Sequence, residues 1–270
     1  MAKKLYDRLI AKPGKRVRLK DWDPEDTFGW EIEEARDRTE KNIEKIFALQ
    51  NVLAAESRHA VLVVLQAMDA GGKDGTIRKV MRGLNPQGCK VMSFKAPTAE
   101  ELAHDFLWRV HKVCPAKGEI GIFNRSHYED VLIVRVREMV PKRAWSKRYE
   151  LINAFEHLLA ANGTTIRKFY LHIGKDEQKQ RLEERLADPQ KHWKFNLGDL
   201  KERELWGDYM AAFEEAIERC STEDAPWFVI PANQKWFRDL AVSQVLLDTL
   251  ESLDLKYPEP EADLSGVVVK

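Results

Sequence analysis

Residues 61–76 read Val-Leu-Val-Val-Leu-Gln-Ala-Met-Asp-Ala-Gly-Gly-Lys-Asp-Gly-Thr, an apolar run of strand length that ends at once in a glycine-lysine turn. Strand, turn and helix in that order form the setting of a phosphate-binding loop. The usual pattern is G-x-x-x-x-G-K-[ST]. Gly71, Gly72 and Lys73 fit its end, while Ala67 replaces the first glycine and Asp74 the hydroxyl residue.

These two departures bear on chemistry. In an ordinary loop of this kind the hydroxyl after the lysine binds magnesium, and the glycines let backbone N–H groups approach phosphate oxygens. Here Asp69 and Asp74 flank the turn. A hard cation favours carboxylate oxygens, so an aspartate in the loop can take over the metal, leaving Lys73 as a point charge for phosphate. The bland alternative is a glycine turn with solvated aspartates.

The 270 residues are 44% hydrophobic and 33% charged, enough for one large α/β domain with insertions over 1–270. The formal net charge is zero, 44 basic against 44 acidic residues, which argues against a protein that coats nucleic acid. An anion site must therefore be local. Cys89, Cys114 and Cys220 form neither a disulfide framework nor a zinc spacing, and a reducing cytoplasm is expected. No apolar run reaches the length of a membrane span, and the first residues lack the apolar stretch of a signal peptide, so no membrane association is expected.

Residues 1–28 read as a polar N-terminal arm, with Lys12, Lys15, Arg16, Arg18 and Lys20 ahead of an acidic stretch; a solvated tail and a substrate-contacting arm fit equally well. Helical spacing of Ile32, Ala35, Ile43, Ile46, Phe47 and Leu49 predicts a long amphipathic helix over 30–57. Strands are expected at 60–66, 90–94, 119–124, 165–173 and 227–230. Helices are expected at 75–83, 98–112, from 126, from 144, and at 176–187, 203–219 and 234–253. This alternation implies a three-layer α/β/α fold with a parallel sheet, whose ligands sit at the carboxyl ends of the strands. Pro258 opens a polar tail over 258–270.

A second group of polar residues arrives at the end of the 119–124 strand. Asn124 stands where a phosphate-loop fold normally places an aspartate that organises magnesium, which shifts the metal's charge requirement onto Asp69. Arg125 is suited to bidentate phosphate contact. Ser126, with Glu129 three residues on, reads as a helix-capping pair. A long polyanion needs a row of basic groups, and Lys73, Arg78, Lys79, Arg82, Lys90 and Lys95 lie in or just after the turn, each with a solvated helix face as its plain alternative. Further on, 181–205 carries Arg181, Arg185, Lys191, Lys194, Lys201 and Arg203 around Asp188-Pro189, as a mobile lid over phosphates would. Arg181 and Arg185 are one turn apart and can act together, with salt bridges to Glu183 and Glu184 as the alternative. The histidines at 104, 111, 127, 157, 172 and 192 show no metal-ligand spacing.

Leu-Gln-Ala-Met-Asp-Ala-Gly-Gly-Lys-Asp-Gly-Thr at 65–76 and Ile-Phe-Asn-Arg-Ser-His-Tyr-Glu-Asp-Val at 122–131 together resemble the polyphosphate kinase 2 family, most closely its class III branch. Matches at 105–111, 188–195 and 225–231 extend the likeness in family order. The resemblance implies a phosphate-loop kinase core with a helical lid that moves the terminal phosphoryl group of inorganic polyphosphate reversibly to AMP and ADP. Adenine nucleotides are the implied acceptors, with guanine nucleotides as further ones. It implies Mg2+ as cofactor, with Mn2+ able to stand in, held by Asp69. It makes Asp69, Lys73, Asn124 and Arg125 the expected catalytic set, and Ala70, Gly71, Gly72, Asp74, Gly75, Thr76, Arg78, Lys79 and Arg82 the expected polyphosphate contacts. His127, Tyr128 and Glu129 are candidates for the nucleotide side, and a homo-oligomer is expected. Two other readings stay open: a nucleoside monophosphate kinase using ATP, against which Asp74 counts, and a phosphate-binding module without catalysis, against which Asp69 and Lys73 count.

Overall fold

In a computed structural model that describes residues 2–260, 262–264 and 267–269, strands and helices alternate for most of the chain. In order, the elements are α1 (Ala2–Leu9), β1 (Ile10–Ala11), α2 (Ile32–Glu56), β2 (Ala60–Gln66), α3 (Lys73–Val80), β3 (Cys89–Ser93), α4 (Ala99–Leu102) and α5 (Trp108–His111). There follow β4 (Ile120–Asn124), α6 (Ile133–Val136), α7 (Lys142–Ala161), β5 (Thr164–His172), α8 (Lys175–Ala187), α9 (Leu197–Glu204), α10 (Trp206–Cys220), β6 (Trp227–Pro231) and α11 (Lys235–Ser252).

β2 is buried along its whole length because it lies inside a six-stranded sheet of order β1-β6-β5-β2-β4-β3. Its neighbours β5 and β4 run parallel to it, with Leu65 beside Phe169 on one side and Asn124 on the other. Alternate residues feed opposite layers. Val61, Val63 and Leu65 pack with Ile46 and Leu53 of α2 and the buried stripe of α11, while Leu62 and Val64 pack with Tyr149 and Ile152 of α7 and Phe213 of α10. The outcome is the expected three-layer α/β/α arrangement. The carboxyl ends of β2 and β4 open side by side, so the segments after Gln66 and Asn124 emerge next to each other.

Several boundaries depart from expectation for local reasons. The helix expected over 98–112 is two short pieces, because the Asp105 carboxylate accepts from the Leu107 N–H and draws the chain into a turn. After Ser126 the chain forms a 3-10 turn, His127–Asp130, before α6. The helix expected over 203–219 breaks at Leu205, which separates α9 from α10.

The 1–28 arm is more ordered than its polarity suggests. Leu5 and Leu9 enter the core, β1 pairs antiparallel with β6, and the Val17 and Leu19 N–H groups donate to Glu218 and Glu214 of α10. Its basic residues Lys12, Lys15, Arg16, Arg18 and Lys20 are exposed. The polar tail has no regular structure where it is described, and its residues 261, 265, 266 and 270 lie outside the described residues. No described helix is long and apolar enough to cross a membrane.

Candidate active site

The turn after β2 is shaped by two residues with positive φ, Ala70 (61°) and Gly72 (101°). Gly71 has no room for a side chain: a Cβ there would stand 2.5 Å from the Ala67 Cβ and 2.8 Å from the Met68 carbonyl. At Gly72 a Cβ would meet the Arg238 guanidinium at 2.2 Å. The turn delivers Lys73 as the first residue of α3, where its Nζ donates to the Ala67 carbonyl at 3.0 Å. Burial, and then the nearby Arg125 charge, push the Lys73 ammonium down to about 8.

Other elements hold the turn from behind. The Gln178 side chain of α8 donates to the Asp69 carbonyl at 2.9 Å. One helical turn later, Arg181 donates to the Ala70 carbonyl at 3.1 Å and to the carbonyls of Ala232 and Asn233 at 2.6 and 2.9 Å. Arg238 of α11 lies against Gly72 and Gly75 and pairs with Asp239 at 2.7 Å.

From β4, Arg125 reaches across to the Asp69 carboxylate at 2.7 Å and approaches Glu129 at 3.6 Å. Arg125 itself has φ of 62°, so two non-glycine residues in this small region hold left-handed backbone, the kind of strain that collects at functional sites. The Asn124 amide donates to Asp74 at 2.7 Å. The turn thus presents two aspartates, each with one oxygen taken by Asn124 at the end of β4 or Arg125 just after it, and a second oxygen that takes no hydrogen bond from the described residues.

Above the turn lies a cavity of about 860 Å³. Ten basic residues line it, Lys73, Arg78, Lys95, Arg125, Arg181, Arg185, Lys191, Lys194, Lys235 and Arg238, against four acidic ones, Asp69, Asp74, Glu184 and Asp199. In a chain of zero net charge this is a strong local excess, and it is what a polyanion needs. A second cavity, of about 190 Å³, shares Asp69, Arg125 and Asp199 with the first and continues between Glu129, Leu132, Ile133, Tyr209 and Phe213. Asp69 and Arg125 therefore stand at the junction of a basic channel and a partly apolar pocket.

The structure brings together Asp69, Ala70, Gly71, Gly72, Lys73, Asp74, Gly75, Arg78, Asn124 and Arg125 with Arg181, Arg185, Lys191 and Lys194 from the 181–205 segment. It turns other expected contacts away. Lys79 and Arg82 face Glu40 of α2 and do not line the cavity. Thr76 is fully buried, with its hydroxyl on the Gly72 carbonyl. Lys90 pairs with Glu119 at 2.7 Å. His127 and Tyr128 are buried in the layer behind the sheet, both bonded to Glu156, and only Glu129 of that trio reaches a cavity. Ser126 caps the following 3-10 turn as expected, its hydroxyl accepting from the Tyr128 N–H, while the reciprocal bond expected from Glu129 does not form. Arg181 is 6% exposed and fixed to the turn, unlike a mobile lid arginine, whereas Arg185 sits more loosely, 3.7 Å from Asp199.

Sequence reasoning missed Gln178, Asp199 and Arg238. Arg238-Asp239 had a usable signal, since it is a charged pair within a helix whose remaining residues are mostly buried. Asp199 had none, because a lone acid in a polar segment is unremarkable until the fold places it beside Asp69.

The family model described as Polyphosphate kinase 2 matches residues 29–258. The chain is 55% identical over 265 residues to an AMP/ADP-polyphosphate phosphotransferase of Meiothermus ruber, covering 96% of this chain and 98% of that protein. It is 49% identical over 259 residues to an ADP-polyphosphate phosphotransferase of Rhodopseudomonas palustris, with 91% and 90% covered. The crystal structure of Polyphosphate Kinase 2 from Arthrobacter aurescens TC1 superposes with a TM-score of 0.93 at 44% identity, covering 97% of this chain and 94% of that one.

Proposed function

The chain belongs to the polyphosphate kinase 2 family, and from that premise we propose that it transfers the terminal phosphoryl group of inorganic polyphosphate to AMP and to ADP, giving ADP and ATP, and runs in both directions. The observation that carries this reading is the basic cavity converging on Lys73 and Arg125. Phosphoryl transfer needs cations and in-line positioning more than a covalent nucleophile. An acceptor phosphate is already ionised at neutral pH, so its oxygen forms the new P–O bond without a general base. The bond to the bridging oxygen breaks, and the shortened polyphosphate leaves as an anion. Lys73, Arg125 and the loop N–H groups hold the oxygens of the moving group, while Arg78, Lys95, Lys191, Lys194 and Lys235 carry the rest of the donor. Arg185 and the neighbouring 189–204 segment cover the site and exclude water.

The residues fit a magnesium ion. Such an ion typically takes one or two carboxylates together with substrate phosphates. Asp69, with Asp74 beside it, offers that set, and the ion would supply neutralising charge to the phosphates. Among the described residues no group of three or more acidic, histidine or cysteine side chains could hold a metal ion by itself. Mn2+ is a substitute of the same oxygen-binding character. We also propose a cytoplasmic location, supported by three unpaired thiols at Cys89, Cys114 and Cys220. A homo-oligomer and guanine acceptors rest on the family likeness alone.

ATP as donor is the competing reading. The cavity favours polyphosphate, because basic side chains continue past the turn to Lys191, Lys194 and Lys235. The deciding experiment follows ATP formed from AMP and, separately, from ADP, with Mg2+ and long-chain polyphosphate. Product from both supports the proposal. Product from ADP alone removes AMP from it, and transfer only when ATP is the donor overturns it.

A further inference from the structure

We propose that Gln178 is a positioning residue that ties helix α9 of the lid to the catalytic turn through a single hydrogen-bonded bridge, Arg203 to Gln178 to the Asp69 carbonyl. Gln178 is fully buried on α8. Both ends of its amide are used: Nε2 donates to the Asp69 carbonyl at 2.9 Å, and Oε1 accepts from Arg203 Nη1 at 3.0 Å. The orientation of the amide is fixed by these partners, since the reverse would face NH2 with a guanidinium and oxygen with a carbonyl. The same Arg203 nitrogen donates to the Lys175 carbonyl at 2.5 Å, which anchors the end of α9 to the start of α8.

Each end of the bridge matters to the reaction. At one end, the Asp69 peptide leads into Ala70, whose left-handed backbone sets the direction of the turn, and the Asp69 side chain is the Arg125 partner and the leading magnesium ligand. At the other end, Arg203 belongs to α9, the helix that also carries Asp199 into both cavities. A displacement of α9 reaches the Asp69 carbonyl through one side chain. Arg181 also meets the turn, but its other partners are Glu177 of its own helix and the Ala232 and Asn233 carbonyls after β6, so it does not link the turn to α9. Gln178 therefore registers whether the lid is seated, and sets the Asp69 carboxylate accordingly.

The inference deepens the phosphotransferase reading and rests on it, so its test includes a readout that needs no activity. Arg203→Ala, Gln178→Met and the double variant are compared with wild type in three ways: backbone hydrogen exchange across 69–73 without ligand, kcat for transfer to ADP, and thermal midpoint. The bridge predicts faster exchange at 69–73 in Arg203→Ala with little change in midpoint. It predicts a kcat loss of about tenfold in each single variant, the scale of a hydrogen bond to a charged group, and a double variant no worse than the poorer single one. Unchanged exchange at 69–73 in Arg203→Ala, or losses that multiply in the double variant, would overturn it. Should Gln178→Met not fold, Arg203→Ala still decides, because its residue is only half-buried. Wild type without transfer would defeat the functional reading, and the exchange result would still stand or fall by itself.

Discussion

Among the described residues two lysines are buried, and their surroundings differ in a way that separates structure from function. Lys168 of β5 is 0% exposed and donates to Glu156 at 2.5 Å, to the Tyr128 hydroxyl at 2.8 Å and to the Cys220 carbonyl at 2.6 Å. All three ammonium protons are used. Its partner Glu156 also accepts from Tyr128 and pairs with His127; burial alone would raise this carboxyl, but Lys168 and His127 hold it below its usual range. Lys73 is 9% exposed and has one hydrogen bond, to a carbonyl. Its charge is under-compensated, which depresses its proton affinity and leaves donors for an arriving anion. A buried charge with a full set of partners completes the fold, whereas one left short awaits a ligand.

The sharpest way to break this comparison is to remove each charge. Lys168→Met leaves Glu156 buried without its cation and should cost about 3–5 kcal/mol in denaturant titrations, with the folded remainder still able to transfer phosphoryl groups. Lys73→Met should instead leave the thermal midpoint unchanged or higher, because an under-partnered buried charge is gone. If Lys73→Met proved as destabilising as Lys168→Met, the distinction would collapse.

A smaller effect is expected from pH. Below about 8 the resting Lys73 is charged, and above it the ammonium is lost, so polyphosphate affinity should weaken by about tenfold between pH 7 and pH 9 if a pKa near 8 governs binding. Titration calorimetry checks this, and Lys73→Met should show no such slope.

Asp199 supplies a third test. Burial first, and then the Asp69 charge, push its carboxyl up to about 6 despite Arg185. The folded protein thus holds this proton more tightly than the unfolded chain, so stability falls as pH rises from about 4 to 6. Asp199→Asn should raise the thermal midpoint by a few degrees above pH 6 and by less at pH 4.5, an effect of about 1 kcal/mol once solvent screening is allowed for. Equal midpoints at pH 7 would mean that Asp69 and Asp199 do not oppose each other.

The smallest effect is expected at Lys79 and Arg82, which share Glu40 at the surface. Alanine at either should change stability by less than about 0.5 kcal/mol and leave polyphosphate kinetics within about twofold of wild type. A large rise in the KM for polyphosphate would return them to the donor track.

How much of this was legible in the chain depends on the distance over which each feature is decided. The β2-turn-α3 unit is decided locally: an apolar run, glycines where no Cβ fits, and a lysine opening a helix. Asp69, Lys73 and Arg125 could be read from it and from the end of β4. His127 and Tyr128 sit in an equally dense polar stretch, but a 3-10 turn rotates them behind the sheet, where Glu156 and Lys168 of distant elements receive them. Lys79 and Arg82 went astray for a related reason, since nothing in α3 announces that Glu40 of α2 lies alongside. Gln178 is an ordinary residue in a helix until packing sets it against Asp69, whereas Arg238 could have been suspected from its place beside Asp239 in an otherwise apolar stretch. The arm misled because its charges are exposed while scattered apolar residues, Leu5, Leu9, Ala11, Val17 and Leu19, do the packing.

The central claim is that the under-partnered charge at Lys73 draws polyphosphate into transfer, and one measurement tests it most directly. Polyphosphate chain length and newly formed ADP and ATP are followed together, with AMP, Mg2+ and either wild type or Lys73→Met. The account predicts that wild type loses one phosphate unit from the donor for each new nucleotide P–O bond, and that folded Lys73→Met is slower by about a thousandfold, the scale on which removing a charge-stabilising donor acts. Nucleotide formed without donor shortening, or a Lys73→Met rate equal to wild type, would contradict it.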